Sequence, residues 1–148
     1  MIEYYSAGEQ PTCQGPLGRE IEQINAAPTA LAERKALQVL LQQLTQVEHI
    51  PLEDIVLLSP VGKERSYFPD GFRLGGFHLN WQLGGSPQRN ALTCCSIYAF
   101  KGLERAVVIL AELDKIQHTA EREQLIYVAF SRAKQHLILL GNVPMTEG

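Results

Sequence analysis

The sequence predicts an α/β fold, a three-layer sandwich in which a mostly parallel sheet lies between helices and carries a small β-hairpin insert. Three observations predict it. Apolar runs of four to six residues (Ile55-Val56-Leu57-Leu58, Ala106 to Ala111 and Leu137-Ile138-Leu139-Leu140) are continuous rather than alternating, as expected of strands buried on both faces. Segments of helical periodicity lie between some of these runs, and crossovers between parallel strands need such segments. Residues 70–90 are glycine-rich, with Phe72, Phe77, Leu79 and Trp81 roughly alternating, which predicts a hairpin or short meander.

The elements follow in chain order. Ile2 to Tyr5 reads as a strand and Gly8 to Gly18 as a connecting arm, so residues 1–28 form an N-terminal strand and arm. A helix runs from about Leu31 to Val47, with Thr29 as its cap and Leu37, Leu40, Leu41 and Leu44 as its apolar stripe. Pro51 ends it, and Leu52-Glu53-Asp54 leads into the strand at Ile55. Within the insert, Leu83 to Pro87 is a loop, and Trp81 should fill a small core. Ala91 to Ile97 and Ala106 to Ala111 are strands. A second helix spans Ala120 to Ser131, capped by Thr119, with Leu125, Ile126, Val128 and Ala129 on its buried face. Tyr127 and Phe130 also fall at core spacing. The strand at Leu137 closes the pattern.

A length of 148 residues fits one domain over 1–148. Chains of this size bury roughly 68–70 % of their unfolded surface, so a core forms without metal or disulfide staples. No apolar stretch approaches the about 20 residues of a membrane span, and Met1 to Tyr5 lacks the pattern of a signal peptide. A soluble, cytoplasmic protein with no membrane partner is expected. Three cysteines, two of them the neighbours Cys94 and Cys95, give no zinc spacing and read as buried thiols. No metal site is expected. The formal net charge of −3 argues against a strongly basic nucleic-acid binder, but residues 60–101 carry five basic and two acidic groups. That positive middle suits phosphates, and suits a solvated surface equally well.

Chemistry is sparse. The phosphate-cradling pattern GxxxxGK[ST] is absent, because Gly62-Lys63 is followed by Glu64. Glu112 and Asp114 follow a strand and read as a solvated strand end rather than a magnesium site. No Ser/His/Asp set or HExxH occurs, and His49, His78, His118 and His136 are scattered. The chain alone should not hydrolyse anything. Ligands of parallel sheets bind beyond the carboxyl ends of the strands, so the loops to watch follow Leu58, Ile97, Leu110 and Leu140.

Two segments stand out. Ser96-Ile97-Tyr98-Ala99-Phe100-Lys101-Gly102-Leu103-Glu104 feeds the strand at Ala106, and Gln124-Leu125-Ile126-Tyr127-Val128-Ala129-Phe130-Ser131-Arg132-Ala133-Lys134 precedes the strand at Leu137. Together they resemble motifs V and VI of the UvrD/Rep-like superfamily 1 DNA helicases. That family reads approximately T-[IL]-H-x-x-K-G-L-E and L-x-Y-V-A-x-T-R-A-K there. The helix and strand before Ser59 resemble the opening of the same C-terminal domain, so the likeness covers about residues 30–142.

The resemblance implies a RecA-like C-terminal motor lobe, the 2A domain, in its short form. ATP and Mg2+ would be held mainly by an N-terminal RecA-like lobe outside this chain. Arg132 matches the motif VI arginine finger; without the motif it reads as a cation complementing a helix end. Glu104 matches the residue that accepts hydrogen bonds from the nucleotide ribose, or is a surface carboxylate. Gly102 permits an unusual backbone angle, and Lys101 is either structural or faces phosphate. Ser96 and Tyr98 stand where the family has the Thr and His that contact single-stranded DNA. Serine keeps the hydroxyl; tyrosine for histidine is a departure that leaves the contact at Tyr98 open. Lys63 and Arg65 are candidate contacts to the DNA backbone. The function implied is the C-terminal lobe of an ATP-dependent DNA helicase or translocase. The alternative is a non-enzymatic nucleic-acid or nucleotide-binding module derived from one.

Overall fold

A computed structural model describes residues 12–14, 20–82 and 89–141. The expected strand at Ile2 to Tyr5, most of the arm and the loop at Leu83 to Pro87 lie outside them. One eight-stranded sheet organises the chain. In chain order its strands are β1 (Thr12–Gln14), β2 (Glu20–Ile24), β3 (Ile55–Ser59), β4 (Arg73–Leu74), β5 (Phe77–Asn80), β6 (Ala91–Ser96), β7 (Arg105–Leu110) and β8 (Ala133–Leu140). Across the sheet they run β1-β2-β8-β7-β3-β6-β5-β4. All pairings from β2 through β5 are parallel, while β1 and β4 pair antiparallel at the two edges.

The continuous apolar runs are buried on both faces, as expected. Val56, Leu58, Val108, Leu110, Leu137 and Leu139 face one way, onto helix α2 (Thr119–Arg132) and its Leu125, Ile126, Ala129 and Phe130. Ile55, Leu57, Val107, Ile109, Ile138 and Leu140 face the other, onto Leu37, Leu40 and Leu41 of helix α1 (Ala30–Gln42) and Leu44 just beyond it. Strand side chains alternate between faces, so two helices on opposite sides are needed to keep these residues from water. The result is an α/β/α sandwich consistent with a RecA-like fold.

Thr29 caps α1 as expected, its Oγ1 accepting from Ala32 N at 3.1 Å. The helix continues as a wider π-type turn over Gln43–Val47. The insert is a hairpin of β4 and β5 joined by Gly75-Gly76, with β5 added parallel to β6. Trp81 is half-buried against the α1-side core, and its indole N–H donates to Phe68 O at 2.6 Å.

Four expectations need correction. Residues 20–24 form a strand beside β8, and Thr12–Gln14, inside the expected arm, form another. The cue at 20–24 was thin, because only Ile21 and Ile24 are apolar in a charged run. The residue before α2 is His118, with no side-chain cap, and Thr119 is the first helical residue. Tyr127 does not join the core: it is 72 % exposed while Phe130 is buried. Helical periodicity places them three residues apart, but α2 buries only the stripe facing the sheet, and Tyr127 lies off it. Finally, Glu112 is fully buried, so Glu112 and Asp114 are no solvated strand end.

Leu58 packs between the sheet and α2, so Leu58→Ala should cost about 2–5 kcal/mol in urea unfolding. Tyr127→Ala should stay within about 0.5 kcal/mol of the parent in the same assay, as surface changes do.

Candidate functional site

Three of the four loops at the carboxyl end of the sheet meet one another. After β3 come Ser66 and Tyr67, after β7 come Glu112 and Asp114, and after β8 comes Gly141; the first turns of α1 add Glu33. Glu112 accepts the Ser66 hydroxyl and the Tyr67 backbone N–H, the latter at 3.0 Å. It pairs with Lys115 Nζ at 2.9 Å, and its own N–H donates to Glu33 Oε1 at 3.0 Å. Tyr67 Oη donates to Asp114 Oδ2 at 2.7 Å. A Cβ on Gly141, at φ +134°, would meet Glu33 Oε2 at 3.0 Å, so glycine is what lets β8 end against the carboxyl group.

Burial and a hydrogen bond with Asp114 push the Glu33 carboxyl up to about 9. It therefore carries its proton at neutral pH. Desolvation and the bond to Asp114 likewise raise the Tyr67 phenol. Every carboxyl group here is engaged by protein, and among the described residues no group of acids, histidines or cysteines could hold a metal ion.

The fourth loop, after β6, behaves differently. Residues 97–104 cross from the carboxyl end of β6 to the amino end of β7 without a helix. Ile97 N donates to Ser59 O at 2.8 Å, and the buried Phe100 fills the space a crossover helix would occupy. Gly102 sits at φ +80°, the left-handed conformation anticipated for it, which turns the chain into β7. Arg105 closes the turn, with its guanidinium 5.6 Å from the Phe100 ring centre and Nη1 donating to Glu104 O at 2.9 Å.

Between this crossover and α2 runs a groove of about 360 Å³. Ile97, Tyr98 and Lys101 form one wall; Glu121, Gln124, Leu125, Val128 and Arg132 form the other. The α2 residues recur every three or four positions, as one helical stripe must. This opening thus lies beside the sheet face, and of the four loops only the one after β6 contributes to it. A second opening of about 480 Å³, between the end of the π-type turn and Phe77, holds no cationic side chain but His49.

Sequence reasoning named Lys101, Tyr98 and Arg132, and the fold brings them together in this groove. Arg132 Nε is buried with no partner, and Nη1 makes only a 3.4 Å bond to Ser131 Oγ. Tyr98 is 58 % exposed. Ser96 lies next to Ile97, with its Oγ accepting from Ala99 N at 3.1 Å and its proton left to donate. Gly102 and Glu104 are exposed on the turn into β7, outside the groove lining. Lys63 and Arg65 are exposed on the connection after β3, also apart from the groove.

Gln124 and Glu121 line the groove and were not singled out from the sequence; their place on the Val128–Arg132 stripe was the available signal. Cys94 and Cys95 are buried free thiols. Burial raises both, Cys95 to about 11 despite the nearby Arg105, which leaves them unreactive.

A guanidinium and an ammonium with no buried acid between them suit an anionic, phosphate-bearing ligand. A single carboxylate, Glu121, does not make a magnesium site. Residues 91–140, the run from β6 through β8 that contains both walls, match the family model of the UvrD-like helicase C-terminal domain. This stretch is similar to the UvrD-like helicase C-terminal domain. The match covers a third of the chain, and no curated protein matches it significantly. Among the described residues no helix is long and apolar enough to cross a membrane.

Glu33 binds a proton on folding that it lacks in the unfolded chain between its ordinary value near 4.5 and about 9. Stability from this group is full below that window and falls as pH rises through it, by up to about 1.4 kcal/mol per unit. Glu33→Gln, which keeps one acceptor and one donor, should flatten the loss between pH 6 and 8 in thermal unfolding. Gly102→Ala should cost about 1–2 kcal/mol in the same assay, because its backbone is left-handed.

Proposed function

We propose that this domain is the C-terminal motor lobe of an ATP-dependent DNA helicase or translocase. The observation that carries the reading is the shared groove of Lys101 and Arg132, in which Arg132 Nε is buried and unpaired. A buried cationic donor without a partner is costly, and a phosphate oxygen would satisfy it.

ATP, held with Mg2+ mainly by an N-terminal RecA-like lobe, would supply the phosphoanhydride whose cleavage drives motion. This chain's part is to complete that site. The planar fork of Arg132 would hold oxygens of the terminal phosphate and stabilise charge as it redistributes. Lys101 would add positive charge in the same groove. Glu104, exposed on the adjoining turn, would accept hydrogen bonds from the ribose, with Gly102 setting the turn. Ser96 retains a hydroxyl proton for a DNA phosphate, Tyr98 offers an exposed ring and hydroxyl, and Lys63 and Arg65 would pair with the backbone of single-stranded DNA. Closure of the two lobes on nucleotide would couple hydrolysis to movement along the strand.

The test is ATP turnover by this domain joined to its Walker A-bearing lobe, with and without single-stranded DNA. Arg132→Ala should lower DNA-stimulated kcat by about 10³-fold or more, the usual worth of an arginine finger, while ATP still binds. Arg132→Lys should restore only part of the rate. Turnover indifferent to Arg132 would defeat the motor reading and leave the helicase-derived binding module.

A further inference from the structure

We propose that the carboxyl pair Glu33–Asp114 is a proton-dependent latch that positions the loop carrying Lys63 and Arg65. The inference rests on the reading of that loop as a contact to single-stranded DNA.

Glu33 Oε2 and Asp114 Oδ1 are both buried, and neither receives a donor from elsewhere in the protein. Two carboxylate oxygens cannot bond each other without a proton. Burial and a hydrogen bond with Asp114 both push the Glu33 carboxyl up, and one proton between the two orphaned oxygens would satisfy both. The remaining oxygens reach outward to the loop. Asp114 Oδ2 receives the Tyr67 hydroxyl, and Glu33 Oε1 holds the N–H of Glu112, whose own carboxylate receives Ser66 Oγ and Tyr67 N. Arg34, beside Glu33 on α1, donates from Nε to Tyr67 O at 2.6 Å. Lys115 spans the far side, 3.9 Å from the Tyr67 ring centre and bonded to Arg65 O.

The loop's backbone at Arg65 and Tyr67 is therefore held from α1 and from the segment after β7. The side chains of Lys63 and Arg65 stay exposed. The charged and titratable groups around Glu33 are Arg34 on its own helix, Arg65 and Tyr67 on the loop, and Glu112, Asp114 and Lys115 after β7. Removing the shared proton puts three carboxylates against one neighbouring ammonium, Lys115, and the Arg34 guanidinium. Asp114 then repels Glu33, and its hold on Tyr67 is lost.

A reporter is built in. Trp81 is the chain's one tryptophan, and its indole donates to Phe68 O, one residue beyond Tyr67. The experiment follows Trp81 emission and the anisotropy of a labelled oligo-dT strand from pH 7 to 10. It uses the 148-residue chain, Glu33→Gln, and the double variant Lys63→Ala/Arg65→Ala. In the parent, emission should shift and oligo-dT affinity should fall roughly tenfold over one window near pH 9, whereas Glu33→Gln should hold both steady. The double variant should keep the emission shift and bind weakly at every pH.

An emission shift that is absent in the parent, or identical in Glu33→Gln, overturns the latch. A Glu33-dependent shift with oligo-dT affinity unaffected by the double variant leaves the latch standing and overturns the DNA role of its loop.

Discussion

Burial of β3, β7 and β8 on both faces is the constraint on which the rest of the molecule depends. Their side chains are apolar without alternation, so neither face tolerates water, and α1 and α2 must lie on opposite sides. Both helices then run back from the carboxyl end of the sheet to its amino end. That carries Glu33, near the start of α1, to the carboxyl edge, and Arg132, at the end of α2, to the amino edge. The polar features of the domain are consequences of this packing, because backbone and side-chain polar groups are free of the core only at the sheet's ends and beside its covering helices.

Two polar places result, and they differ in kind. At the carboxyl edge, Glu33, Glu112, Asp114, Tyr67 and Lys115 are tied to one another by hydrogen bonds and an ion pair. Such an arrangement joins segments far apart in sequence and has little left to offer a ligand. Beside α2, Arg132 keeps a buried donor without a partner, and Lys101 faces the same open groove. Buried polar groups are almost always paired; Arg122 Nε on the same helix is also buried without a partner, but Arg132 is the one that lines the groove. The absence of a crossover helix between β6 and β7 is what opens this groove, since Phe100 covers the sheet with far less bulk than a helix.

Tyr98 illustrates how the two chemistries adjoin. It stands two residues from Ser96 and on the same wall as Lys101, so a short run of chain reaches from the end of β6 to the phosphate-suited groove. The Tyr98 ring is exposed and its hydroxyl offers a hydrogen-bonding tip there.

The sequence by itself determined the sandwich, its central strands, the α1 stripe and the two motif segments, because hydrophobic period and motif spacing are local properties of the chain. The left-handed turn at Gly102 and the burial of Cys94 and Cys95 were legible for the same reason. Only the tertiary structure decided that β2 joins beside β8, where Ile21 is fully buried though its neighbours in sequence are charged. It also decided that Tyr127 faces water, that Gln124 shares a groove with Lys101, and that Glu112 is an interior residue. The acids gave no local sign of their fate: Glu33 sits on a helix among Arg34 and Lys35, and Glu112 and Asp114 follow a strand as surface residues do. Glu112 and Asp114 take donors from Ser66 and Tyr67, and Glu33 takes the N–H of Glu112; an acid is kept in water or taken inside according to which distant groups the fold brings to meet it.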